Sequence, residues 1–242
     1  MTMNQQSPLN GLRVAVTGGT SGLGLALVRQ LSQAGARVAF VARSKTDVER
    51  VAIETNAVGI VGDVGLKGDI YPMAFQITAN LGGLDVLINN ASSLGPIPLV
   101  HLADTDCEDL EDALSVNLIG PFRLTKALFG ALAASAREGR GGTVVNISSD
   151  AAVNAYPGWG AYGASKAALG HLTAIWDVEA REERIRFLAV DPGDMDTPLH
   201  ALADPDADQS TLKRPADSAA EVIDAFSVTL PIINATEDAV PA

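Results

Sequence analysis

Tyr162 and Lys166 stand four residues apart in the stretch Tyr162-Gly163-Ala164-Ser165-Lys166. On a helix that spacing turns both side chains to one face. A free phenol has a pKa near 10 and exchanges protons poorly at neutral pH. A neighbouring ammonium favours the phenolate and is expected to lower that value. Tyr162 would then serve as a general acid/base that protonates an alkoxide or deprotonates an alcohol. The same spacing also occurs on exposed helical faces, so the pair needs support from elsewhere in the chain. Some comes from Asn117, which is followed four residues later by Pro121 inside a long helical pattern. A mid-helix asparagine is ordinarily just tolerated. Proline, however, has no N–H to offer the Asn117 carbonyl, and its ring strains the helix at that point. The carbonyl is left free to hold a water.

Another chemical feature lies near the start of the chain. Directly after an apolar run at residues 13–17 comes Thr17-Gly18-Gly19-Thr20-Ser21-Gly22-Leu23-Gly24, which opens a helical pattern. Glycines let a backbone turn sharply and approach a pyrophosphate with no Cβ in the way, and a helix start supplies N–H groups and partial positive charge. Many tight turns carry glycines; the position between a first strand and its helix is what points to a dinucleotide.

The spacing TGxxxGxG resembles the short-chain dehydrogenase/reductase family, and further matches follow in order. Asn89-Asn90-Ala91-Ser92 resembles the family's NNAG with serine in place of glycine, a small change that the turn is expected to survive. Asp63-Val64 matches an acidic position that contacts adenine. Pro192-Gly193-Asp194-Met195-Asp196-Thr197 resembles a PGxxxT segment that holds the nicotinamide carboxamide. Ser149, thirteen positions before Tyr162 in Val144-Val145-Asn146-Ile147-Ser148-Ser149-Asp150, matches a serine that hydrogen-bonds the substrate oxygen.

The resemblance implies Asn117, Ser149, Tyr162 and Lys166 as the catalytic set, with Asn117 linking the lysine to a proton relay. It implies a cofactor site built from Gly18, Thr20, Ser21, Gly22, Leu23, Gly24, Arg43, Asp63, Val64, Asn90, Ala91, Tyr162, Lys166, Pro192, Gly193, Met195 and Thr197. After the second strand an acidic residue would bind the adenosine ribose and repel a 2′-phosphate. Ala42 and Arg43 stand there instead, and a guanidinium can pair with phosphate in a fork. NADP(H) is therefore expected ahead of NAD(H), unless Arg43 is spent in a surface ion pair. The matches run from about residue 13 to 197 and fade beyond.

The elements that must position these residues alternate along the chain. Short apolar runs at 13–17, 37–42, 58–61, 84–89, 143–147 and 185–190 are separated by helical stretches, notably 23–34, 104–137 and 161–181. Doubly buried strands between helices imply an α/β fold. The expected form is a doubly wound parallel sheet, Rossmann-like, in a three-layer α/β/α single domain over 1–242. Residues 227–233 could form an edge strand, weakened by Pro231, and the remainder reads as a tail.

Composition narrows the function. The 242 residues are 47% hydrophobic and 19% charged, ample for one core. A formal charge of −12 disfavours nucleic acid and anionic membrane as partners. Cys107 is the only cysteine, which excludes an internal disulfide, and no apolar run approaches the roughly 20 residues of a membrane span. The N-terminus has no signal-peptide pattern, so a cytoplasmic location is expected. His101 and His171 show no metal-ligand spacing, and no metal site is expected. The implied partner is a small carbonyl or alcohol, walled by Tyr156, Trp159 and Met195 with His200 at the entrance, in a homodimer or larger homo-oligomer joined through the long helices. The contrasting reading is a non-catalytic NADP-binding sensor or scaffold. A sugar-nucleotide epimerase would need a substrate domain for which the chain has little room.

Overall fold

Six strands form one parallel sheet in the computed structural model, which describes residues 9–230. They are β1 (Arg13–Thr17), β2 (Arg37–Ala42), β3 (Val58–Val61), β4 (Val86–Asn89), β5 (Thr143–Ile147) and β6 (Arg186–Val190). Their order across the sheet is β3-β2-β1-β4-β5-β6. The chain winds outward in one direction from β1, then crosses back to begin again at β4. The crevice between β1 and β4 is the point where such sheets bind ligands, beyond the carboxyl ends of the strands.

Side chains alternate across a strand, so each strand feeds two cores. Val14, Val16, Val38, Phe40, Val86 and Ile88 point to one face, and Ala15, Ala39, Val41 and Leu87 to the other. The first face is covered by α1 (Gly22–Gln33) and α8 (Pro215–Ser227), through Leu27, Val28, Leu31, Val222 and Phe226. The second is covered by α3 (Lys67–Leu81) and α5 (Gly120–Arg137), through Ile70, Met73, Ile77, Leu124, Leu128 and Leu132. The remaining helices are α2 (Lys45–Thr55), α4 (Cys107–Leu114), α6 (Gly160–Glu179) and α7 (Pro198–Ala203). Among the described residues no helix is long and apolar enough to cross a membrane.

Two features depart from the pattern in the sequence. The stretch 104–137 is not one helix. A 3-10 turn at Leu102–Asp104 precedes α4, and a π turn at Ser115–Ile119 joins α4 to α5. The Gly120 N–H reaches back five residues to the Ser115 carbonyl, and Pro121 follows at the start of α5. The widened turn admits the ring that a regular helix would exclude. The second departure is at the C-terminal side. Ser227 closes α8, a helix absent from the expectation above, and residues 228–230 make turns and bends in place of the start of an edge strand. Residues 231–242 lie outside the described residues, as do 1–8.

One buried charge fastens the sheet's lower end. Asp85, fully buried, accepts bonds from the Arg13 backbone N–H at 2.8 Å, the Arg13 Nε at 3.0 Å and the Ser135 hydroxyl at 2.6 Å. Burial works to raise this carboxyl, but the bonds from Arg13 and Ser135 outweigh it and hold the pKa below the usual carboxylate range. Removing one member of such a pair leaves a buried charge without compensation. Asp85→Ala is expected to cost about 3–5 kcal/mol in urea unfolding at pH 7. The difference should shrink as the pH falls below about 4, because the native carboxylate's advantage over the unfolded one is lost on protonation.

Candidate functional site

The carboxyl ends of β1 and β4 are drawn together by a small polar clamp. Asn90, just past β4, donates its side-chain amide to the Thr17 carbonyl at 2.9 Å and the Gly18 carbonyl at 3.3 Å. The backbone N–H groups of Asn90 and Ala91 both donate to the Thr17 hydroxyl at 3.0 Å. Gly18 adopts φ +70, and a Cβ there would lie 2.9 Å from the Asn90 amide nitrogen and 3.0 Å from the Ala91 Cα. Only glycine fits both the conformation and the space. The clamp spends the Asn90 side chain on shaping the loop.

Above the clamp opens a cleft of about 1150 Å³. Its wall includes Gly18, Thr20, Ser21, Gly22, Leu23, Gly24, Arg43, Asp63, Val64, Asn90, Ala91, Pro192, Gly193, Met195 and Thr197, and also Ser149, Tyr162 and Lys166. Every residue of the expected cofactor site therefore lies on one continuous surface. The N-terminus of α1 opens onto it, and Ser21 makes no side-chain capping bond there, so the first-turn N–H groups are left for an anion. At the far end sits Arg43, exposed and beside the N-terminus of α2. Nearby Arg50 and Lys45 pair with Asp47 and Glu49; among the described residues Arg43 enters no ion pair. An extended dinucleotide with two anionic points fits this arrangement: backbone N–H groups in the middle, an unpaired guanidinium at one end.

The other end carries the titratable groups. Helix α6 is set against the sheet by buried polar contacts. Asn89 donates to the Asn146 side-chain oxygen at 2.8 Å, and the Asn146 side-chain amide donates to the Thr173 hydroxyl at 2.8 Å. Tyr162 and Lys166 face the cleft from this helix as their spacing requires, with Nζ 5.6 Å from the ring centroid. Ser149 ends the loop after β5. Its hydroxyl accepts from the Ala151 N–H at 3.2 Å and lies 3.3 Å from the Asp150 carboxylate, to which it donates.

Asn117 does not line the cleft. It is 1% exposed in the π turn, donating to the Ser93 carbonyl at 2.7 Å and the Ser165 hydroxyl at 2.8 Å. Since Ser165 also donates to the Tyr162 carbonyl at 2.7 Å, Asn117 braces the turn of α6 that bears both Tyr162 and Lys166.

The ionisation of the pair departs from expectation. The Tyr162 phenol is raised above its ordinary value, chiefly by burial, with hydrogen bonds from Ser149 and Ser92 opposing the rise. The ammonium does not lower it. Lys166 Nζ is drawn over the ring and donates to the Ile147 carbonyl at 2.8 Å, so its charge is not delivered at the phenolic oxygen. Burial pushes Lys166 itself down to about 8.

Other residues of the cleft were not anticipated. Ser92 and Ser93 come from the turn after β4, and Asp150 receives the Tyr156 hydroxyl at 2.7 Å. Leu199, Leu202 and Ala203 of α7 form a short roof near Trp159, beside His200. Trp159, Tyr156 and Met195 do line the cleft. Asp194 and Asp196 owe their place to a bridge between Met195 and Lys213, in which the Lys213 N–H donates to the Asp194 carbonyl and the Asp196 N–H to the Lys213 carbonyl. The Thr197 hydroxyl caps α7 by accepting from the His200 N–H at 3.2 Å.

A parallel sheet with this crossover, a glycine cradle at the reversal and a tyrosine–lysine helix beside it define a class of nucleotide-binding α/β proteins. The family model of the short chain dehydrogenases matches residues 13–208, and the chain belongs to that family. An uncharacterized oxidoreductase of Mycobacterium tuberculosis is 32% identical over 207 residues, covering 81% of this chain; the chain spans about 58% of that relative's length. Among solved structures, a short chain dehydrogenase of Shigella flexneri complexed with NADP superposes with a TM-score of 0.81 at 25% identity, covering 94% of each chain. A 3-ketoacyl-(acyl-carrier-protein) reductase of Brucella melitensis complexed with NADH gives 0.83 at 25% identity, covering 90% of this chain and 91% of that one.

The buried lysine makes a stability test possible. An unfolded lysine keeps its proton to near 10.5, whereas the native one releases it near 8. Between those values the unfolded state binds more protons, so native stability rises with pH. Lys166→Met is therefore expected to melt above the wild type at pH 7, with the gap narrowing from pH 8 to 10.5 in calorimetry.

Proposed function

We propose that this protein is an NADP(H)-dependent oxidoreductase that interconverts a small carbonyl compound and its alcohol. The observation that carries the reading is the opening of Ser149, Tyr162 and Lys166 onto the same cleft as the glycine cradle and Arg43. The bound nicotinamide supplies or accepts a hydride. The chain's own part is to bind, orient and manage the proton.

Ser149 donates a hydrogen bond to the carbonyl oxygen and polarises it. The Tyr162 phenol, kept neutral by burial, then gives its proton to the oxygen as negative charge develops there. The raised pKa keeps the proton on Tyr162 until negative charge develops on the substrate oxygen. Lys166, buried on the cleft wall and titrating near 8, would hold the cofactor ribose. Asn117 keeps the Tyr162–Lys166 turn in register. Trp159 packs edge-on against Tyr162 at 5.6 Å between centroids, and with the α7 roof it limits water at the reacting carbon.

Arg43 supports NADP(H) over NAD(H), since among the described residues no carboxylate competes for it and it lines the same cleft as the glycine cradle. An apolar groove between α6 and the π turn with the start of α5, lined by Leu118, Ile119, Phe122, Leu172 and Ile175, supports a homodimer built on these helices. Burying such a face is worth roughly 25 cal/mol per Å².

A carbonyl screen followed by NADPH absorbance tests the activity. Tyr162→Phe should lower kcat at least 100-fold, within the range of general acid catalysis, and leave the NADPH Kd within a few-fold. Retention of most turnover would remove the mechanism. Arg43→Ala should cut kcat/KM with NADPH by about 10- to 100-fold, the weight of a charge-assisted bond, and change that with NADH little. Ile175→Glu should shift sedimentation toward the monomer.

A further inference from the structure

Ser149 caps the short 3-10 turn Asp150–Ala152, and its hydroxyl is engaged from two sides there. It accepts the Ala151 N–H at 3.2 Å and donates to the Asp150 carboxylate at 3.3 Å. A hydroxyl has a single proton, so Asp150 competes for the one that Ser149 would give to a substrate oxygen. The other oxygen of that carboxylate accepts the Tyr156 hydroxyl at 2.7 Å. All three residues line the cleft beside Tyr162.

The two bonds to Asp150 differ in strength. At 2.7 Å the Tyr156 bond is within the range of a hydroxyl on a carboxylate, whereas 3.3 Å exceeds the usual hydroxyl range of about 2.5–3.0 Å. Among the described residues no cation pairs with Asp150. We propose that Tyr156 is a positioning residue: by holding the Asp150 carboxylate it leaves the Ser149 proton free to turn to the substrate carbonyl. Without the Tyr156 hydroxyl, the carboxylate would direct its full charge at Ser149 and hold that proton more tightly. The same charge would also oppose the negative charge that develops on the substrate oxygen. The inference rests on the reading of Ser149 as the donor to that oxygen.

Tyr156 could instead act as a wall of the cleft, for which its half-exposed ring would suffice. The hydroxyl separates the two roles, because its bond reaches Ser149 only through Asp150. Removing the hydroxyl should therefore matter when a carboxylate stands at position 150 and cease to matter when none does.

The test is steady-state kinetics with NADPH and acetophenone, a neutral ketone, on the wild type, Tyr156→Phe, Asp150→Asn and the double variant. Tyr156→Phe keeps the ring and should lower kcat/KM by about 3- to 10-fold, the weight of one hydrogen bond. The loss should fall on kcat, because a bond to the carbonyl oxygen strengthens as charge develops there, and the NADPH Kd should stay constant. The amide in Asp150→Asn can donate to the Ser149 oxygen and leaves its proton uncontested. Adding Tyr156→Phe to that variant should cost less than about 2-fold. An equal cost in both backgrounds overturns the proposal, and so does a loss confined to KM, the mark of a residue that only binds.

A second readout needs no turnover. Labelling with 13C gives ring resonances from Tyr71, Tyr156 and Tyr162, and that of Tyr156 is assigned by its loss in Tyr156→Phe. It should shift in Asp150→Asn, and a resonance that stays in place also overturns the proposal. If the shift is present but neither acetophenone nor any other carbonyl is reduced, the proposed activity falls and the role of Tyr156 with it. Turnover with equal costs in both backgrounds removes the role of Tyr156 alone.

Discussion

The clamp between Thr17 and Asn90 joins two strands that are neighbours in the sheet but more than seventy residues apart in the chain. Four hydrogen bonds hold the glycine loop open at the point where the winding of the sheet reverses. If the loop collapsed, the first turn of α1 would lose its access to the cleft, and the cleft surface would be cut at its middle. The close approach leaves no room for a Cβ at Gly18. A fold-level constraint, the reversal between β1 and β4, thus becomes a requirement for one residue type at one position.

From the same turn runs a second set of contacts toward the titratable groups. Ser93 and Ser92 bond Asn117, Asn117 bonds Ser165, and Ser165 bonds the Tyr162 carbonyl. Buried polar chains of this kind are costly when incomplete and rigid when satisfied. Here the chain is satisfied, and it connects the loop under the cleft to the turn of α6 that holds Tyr162 and Lys166. The π turn is what brings Asn117 to this place. Pro121 prevents a regular helix, and the extra residue in the turn lets the amide reach both the loop and α6.

Electrostatics in the cleft follow from burial more than from pairing. The intuition that a lysine four residues away lowers a phenol assumes that charge and oxygen are close. In the fold the ammonium is diverted to the Ile147 carbonyl and sits over the ring. The phenol stays neutral, and the lysine shifts toward neutrality as well.

Much of this was legible in the residues. The alternation of apolar runs and helical patterns named a doubly wound sheet, because strands covered on both faces must be apolar throughout. The glycine loop, the Asn117–Pro121 pair and the four-residue spacing of Tyr162 and Lys166 are local signals, set by backbone sterics and helical period. Helix α8 was also written locally, in Ala219, Val222, Ile223 and Phe226 after Pro215, a 3.6-residue stripe with proline at its first position. The polar segment before it masks the stripe.

Tertiary structure alone decided where the lysine's charge points, since that depends on a carbonyl nineteen residues earlier at the end of β5. It alone left Arg43 in no ion pair among the described residues, and it alone brought the Ser92 hydroxyl to Asn117. The sequence by itself determined that a tyrosine and a lysine share a helical face. Whether that phenol is lowered or raised depended on solvent exclusion and on the direction of a flexible four-carbon arm, which no local spacing encodes.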